Sequence, residues 1–238
     1  MVTEKTKPRE INEHIIEIRY KPNPKILDYR GTWAEMVSAH MELPEWRIVE
    51  NRFDVFDKDY LRRAFISFRN AGLVVHNSPT KNYFSDQGNK LLKFLFDQEP
   101  FGDPLYVERL GIRSRFAITF SGSFSDLLNR YMNRVLTISE SSLKIFNAKV
   151  TDIGGPIYFK TSRGNINSVS GPMIEDQIRE FFPFSQEIPK VALHIDLDYW
   201  INPQKKVDSK KILNLLKEFS DENWNIHEQL INIVIDSY

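Results

Sequence analysis

Between Lys190 and Ile201 the chain alternates almost without fault. Val191, Leu193, Ile195, Leu197, Tyr199 and Ile201 fall on one side, and Lys190, Ala192, His194, Asp196, Asp198 and Trp200 on the other. Period two is the pattern of a β-strand with one buried face, because successive side chains leave a strand in opposite directions. The second face is not ordinary solvent-facing polarity. It lines up a histidine and two aspartates at two-residue steps, with same-face neighbours about 6.5–7 Å apart. That spacing is too wide for His194, Asp196 and Asp198 to bind one metal ion from an ideal strand. Two of them could do so with a ligand from a neighbouring element.

A second long strand pattern runs from Tyr106 to Phe120. Glu108, Leu110, Ile112, Phe116, Ile118 and Phe120 share one face, and Arg109, Gly111, Arg113, Arg115 and Thr119 the other. If the two strands share a sheet, three arginines can face two aspartates. Three readings stay open. The charges form a structural ladder of cross-strand pairs; Arg109, Arg113 and Arg115 bind an anion; or His194, Asp196 and Asp198 serve a metal-dependent hydrolase or nuclease.

Elsewhere the elements are shorter. Residues 1–12 read as a charged tail and His14–Tyr20 as a strand. A helix is expected over Trp33–Met41 with Thr32 as its N-cap. Strands are expected at Trp46–Asp57, Arg62–Arg69 and Leu73–His76, with Asn70–Ala71–Gly72 as a hairpin turn. Tyr83–Gln98 reads as a helix that Gly88 weakens, and residues 99–105, rich in Pro and Gly, as a linker. After it come the Tyr106–Phe120 strand, a helix from Ser123–Asp126 to about Leu136, and strands near Lys144–Asp152 and Pro156–Ser162. Thr161–Met173, rich in Ser, Gly and Asn, reads as a loop or weak hairpin. Asp208–Tyr238 closes the chain as a long amphipathic helix, bent near Asp221–Asn223. The expected fold is α+β: two similar β-α-β-β-β-α-like halves, 13–98 and 106–238, forming a mostly antiparallel sheet with helices on one face.

Composition narrows the function. Lys+Arg and Asp+Glu both number 32, so the formal charge is zero and non-specific nucleic-acid binding is not favoured. There are no cysteines, which removes thiolate metal sites and Cys nucleophiles. No apolar run approaches the roughly 20 residues of a membrane helix, and the start of the chain does not read as a signal peptide, so a cytoplasmic protein is expected. The sequence contains no Gly-x-x-x-x-Gly-Lys-Ser/Thr loop, no Gly-x-Gly-x-x-Gly, no His-Glu-x-x-His and no Gly-x-Ser-x-Gly. Arg62, Arg63 and Arg69, interleaved with Phe65 and Phe68, form a smaller basic group. Lys205, Lys206, Lys210 and Lys211 read as a solvated turn.

The segment Val107–Glu108–Arg109–Leu110–Gly111–Ile112–Arg113 resembles the Val-x-Arg-Ile-Gly-Leu-Arg-Tyr-x-Asn motif of a sporadically distributed family of uncharacterised bacterial proteins of similar size. The late strand Leu193–Ile201 is similar to that family's Leu-x-Ile-Asp-x-Tyr strand. Leu215–Tyr238, with His227, is similar to its closing helix. The family's Tyr-x-Asn reads Ser114–Arg115–Phe116 here. The resemblance brings no activity; its patchy distribution implies an accessory role such as antiphage defence. Together these readings predict a non-enzymatic binding protein with no cofactor, acting through a protein partner or another copy of itself. The alternative is a sensor of a small anionic ligand such as a nucleotide.

Overall fold

The computed structural model describes residues 10–99, 101–137 and 150–235. Strand β1 (Glu10–Tyr20) is followed by α1 (Lys25–Asp28), α2 (Arg30–Met41), β2 (Glu45–Val49), β3 (Arg52–Phe56), β4 (Arg62–Ser67), β5 (Asn70–His76) and α3 (Tyr83–Phe96). The second half runs β6 (Leu105–Thr119), α4 (Phe124–Tyr131) with a π-helical turn (Met132–Leu136), β7 (Gly155–Lys160), β8 (Asn165–Ile174), α5 (Glu175–Phe181), β9 (Val191–Ile201), β10 (Lys205–Val207) and α6 (Ser209–Val234).

Among the described residues, all ten strands join one sheet in the order β2-β3-β4-β5-β1-β6-β9-β8-β7, with β10 beside β6. Every neighbouring pair is antiparallel. Each half begins with the strand that ends up at the centre and sends a helix across the sheet. It then meanders back inward from the outer edge and closes with a helix. The halves are therefore alike in path, and their sheets meet at β1 and β6 as one continuous structure. The first half has one strand more than expected, because Trp46–Asp57 is broken at Glu50–Asn51 into the hairpin β2–β3.

Even-numbered residues of β1 and β6 bury Ile16, Ile18, Leu110 and Ile112 under α2, α3 and α6. Leu193, Ile195 and Leu197 of β9 join Phe116 and Ile118 under α4 and α6. Helix α6 is uninterrupted through Asp221–Asn223, and Asp208 caps it by accepting from the Lys211 amide at 2.8 Å. Ser123 and Asp126 cap α4 reciprocally, as their spacing predicts. The exception to one-sided cover is α5, whose Ile178, with Phe182 just beyond it, packs on Ile11, Ala117 and Ala192 at one end of the other face.

Several expectations need correction. Glu10–Asn12 belong to β1 rather than to a tail, because Ile11 and Asn12 are buried. Thr32 lies inside α2, which starts after Tyr29. Asn70–Gly72 are strand, and the turn falls at Phe68–Arg69. Residues Asn165–Met173 form an inner strand, paired with β9 throughout and with β7 as far as Ser170. Its Gly171 is there because an added Cβ would sit 2.6 Å from the Ile153 carbonyl. The strand expected at Lys144–Asp152 lies mostly outside the described residues, and Val150–Asp152 are not strand.

Candidate functional site: the arginine-topped sheet face

The register of β1, β6 and β9 decides the central question. Arg115 lies opposite Asp196 and Arg113 opposite Asp198. On the other side of β6, Arg115 lies opposite Glu13 and Arg109 opposite Arg19. Directly opposed residues of an antiparallel pair share a face, so these charges all project from the side of the sheet that α2, α3, α4 and α6 leave bare.

The bonds run diagonally. Arg113 Nε donates to Asp196 Oδ1 at 2.8 Å and its Nη2 to Oδ2, a two-pronged clamp. Arg109 Nη2 donates to Asp198 Oδ2 at 2.9 Å, while its guanidinium stands 5.2 Å from the Trp200 ring centre. Arg115 Nη1 is 3.0 Å from Glu13 Oε1 without hydrogen-bond geometry, and its Nε, 3.7 Å from Asp196, has no hydrogen-bond partner. Burial raises the Glu13 pKa despite Arg115 and Arg113. Burial likewise raises that of Asp198, against the pull of Arg109.

The same construction repeats elsewhere on the face. Asp54 of β3 takes Arg47 at 2.8 Å and Arg52 at 3.3 Å. Glu17 takes Arg19 at 2.9 Å and the Asn70 amide at 2.8 Å. Exposure separates the two signs at three of these carboxylates, whereas Asp198 and Glu17, 30% and 22% exposed, lie level with Arg109 and Arg115 at 25% and 19%. The Asp54, Asp196 and Glu13 side chains are 0%, 7% and 9% exposed, whereas those of Arg47, Arg52 and Arg113 are 48%, 40% and 43% exposed. At those three, carboxylates form the floor and Arg47, Arg52 and Arg113 the top, because a long arginine stem can lie on the sheet while its head stays wet.

His194 does not join the aspartates. It is buried beside Phe181 and Phe182 of the α5 region, its Nε2 has no hydrogen-bond partner, and burial lowers its pKa to about 4. Among the described residues no group of three or more His, Asp or Glu is placed to hold a metal ion. The His-x-Asp-x-Asp row is thus split between an apolar corner and an arginine lattice.

Of the basic trio Arg62, Arg63 and Arg69, only Arg63 projects from this face in the lattice. It lies opposite Phe56 and Val74, near enough to Glu13 and His76 to perturb both. It makes no hydrogen bond or ion pair among the described residues. Arg62 is occupied by Asp57 at 3.3 Å, and Arg69 stands over Phe68. The role of Glu13, which ties β1 into the lattice, was missed because its neighbours in sequence give no hint of Arg115.

A second polar group, also missed, lies on the helix-covered side. His14 Nδ1 is 3.0 Å from Ser114 Oγ, which also accepts from Asn223 Nδ2 at 3.2 Å. Phe84, Phe116 and Trp224 surround the imidazole, and burial brings its pKa down to about 3, helped by nearby His227. This group pins α6 to the centre of the sheet.

Compared with known proteins, the chain matches no family model, and no curated protein matches it.

Proposed function

We propose that this chain is a non-catalytic binding protein whose working surface is the bare sheet face, and that the face receives a carboxylate-rich segment of a partner protein. One observation carries this reading: Asp54, Asp196 and Glu13 are spent as a buried floor while the guanidiniums of Arg47, Arg52 and Arg113 stay exposed. Asp54 and Asp196, each already engaged by arginine, are poorly placed to ligate a cation, which supports a non-enzymatic role. Exposed guanidiniums in a fixed array suit carboxylates, which they can bind two-pronged. Arg63, unpaired, and Arg113, with its outer side in solvent, are the natural first contacts.

Fluorescence anisotropy with a labelled glutamate-rich peptide and a labelled oligothymidylate of equal charge provides the test. The peptide is expected to bind more tightly than the oligonucleotide, more weakly as salt rises, and at least several-fold more weakly after Arg63→Ala with Arg113→Ala. Preference for the oligonucleotide, or peptide binding indifferent to both substitutions, would overturn the proposal.

A further inference from the structure

The small anionic ligand expected from the sequence finds a better-built place away from the sheet face. A cavity of about 410 Å³ opens between the β7–β8 turn, the β9–β10 connection and the first turns of α6. Among the described residues, Lys160, Arg163, Lys205 and Lys211 line it, and no Asp or Glu does. In a chain of zero net charge, four cations around one concavity without a carboxylate is a local excess of positive potential, and concave walls focus such a field.

The walls are held in place. Thr161 Oγ1 accepts from the Gly164 amide at 3.0 Å and the Arg163 amide at 3.1 Å, fixing the β7–β8 turn. Gly164 lets that turn press on β9, since an added Cβ would lie 2.7 Å from the Trp200 carbonyl. Lys205 is anchored because β10 pairs with β6. Lys160, Lys205 and Lys211 make no ion pair among the described residues, and Arg163 reaches Glu218 only at 3.9 Å. The end of α6 does not itself supply the site, because Asp208 already caps it. Ile201, Val207 and Leu215 add an apolar wall.

We infer that this cavity binds a nucleoside polyphosphate. Three lysines and an arginine at separate points suit an anion whose charge is spread over several phosphates, since ammonium groups act as point charges. The volume falls within the usual range of small-molecule sites, about 300–1,000 Å³. The apolar wall gives the nucleoside somewhere to lie.

Titration calorimetry of the full chain with ATP, adenosine and inorganic tripolyphosphate tests the inference. ATP is expected to bind more tightly than either fragment. Lys205→Glu with Lys211→Glu is expected to weaken it at least tenfold while leaving the circular dichroism spectrum unchanged. Arg163→Ala, a milder change in the turn, is expected to weaken it several-fold. Arg63→Ala with Arg113→Ala, on the sheet face, is expected to leave it unaltered. Absence of ATP binding at millimolar concentration would overturn the inference. So would tripolyphosphate binding as tightly as ATP, ATP binding that survives the lysine reversals, or ATP binding lost with the sheet-face arginines.

Discussion

Arg113 stands opposite Asp198 in the sheet register, yet clamps Asp196, two residues along the same strand. Arg109 then takes the vacated Asp198. Arg113 thus reaches one same-face step past its register partner, and Arg109, beyond the last paired position of β6 and β9, reaches further still, as long arginine side chains can across an antiparallel pair.

The shift predicts unequal mutational costs. Arg113→Ala strips the clamp from a buried carboxylate and leaves it only Arg115 Nε at 3.7 Å. Discounted for the exposure of Arg113, the loss is expected to be about 1–3 kcal/mol. Arg109→Ala breaks a pair exposed by 25% and 30%, and is expected to cost less than about 1 kcal/mol. Urea unfolding of the two variants checks the order; equal losses would contradict it.

Acid should weaken the fold before it protonates ordinary carboxylates. Burial lowers the pKa of His14 to about 3 and those of His76 and His194 to about 4. The unfolded chain takes up these protons near pH 6.5, the native one only much lower, so stability falls as pH drops below about 6.5. Three such groups give a limiting slope of about 4 kcal/mol per pH unit between pH 6 and 4. Glu13 and Asp198, whose pKa values are raised, work in the opposite direction and reduce the lower part of that slope. Denaturant unfolding at pH 7, 6 and 5 measures it; a flat profile would refute the assignment of neutral buried imidazoles.

Two glycines facing the same residue should respond differently to alanine. At Gly72 an added Cβ would lie 2.1 Å from the Ile16 carbonyl oxygen, so β1 and β5 would be forced apart. At Gly88 it would meet only the Ile16 Cδ1 methyl, at 2.0 Å, which can rotate away. Gly72→Ala is expected to cost about 2–4 kcal/mol. Gly88→Ala gains about 1 kcal/mol of helix propensity and is expected to change stability by less than about 1 kcal/mol. Thermal unfolding of both variants distinguishes them.

What the sequence made legible follows from periodicity. The β6 and β9 faces, the α3, α4 and α6 helices and the two-half plan are all written in apolar spacing. The meeting of Arg113 and Arg115 with Asp196 and Asp198 could be posed as a question because both strands alternate cleanly. Strand β8 is not legible, since Ser170 and Gly171 serve close neighbours, Tyr131 and Ile153, rather than strand propensity. Glu13, His76 and Arg63 gather with Arg115 only through pairings between distant segments. The basic cavity was equally hidden: Lys160, Lys205 and Lys211 come together through a turn, a three-residue strand and a helix start that share no local pattern.

The seam between β1 and β6 carries a hazard for synthesis. Glu10 pairs with Ile118 and Tyr20 with Val107, so a growing chain shows β1 as a bare edge until the whole of β6 has emerged. During that interval any β6 will serve, including one from a neighbouring ribosome's product. Because the halves follow the same path and join through this ladder, with the helix Tyr83–Phe96 packed on α6 above it, two chains that traded second halves would satisfy every strand. Swapped dimers at high expression, convertible to monomer only by unfolding, are the expected by-product of such a join, and size-exclusion chromatography before and after refolding checks for them.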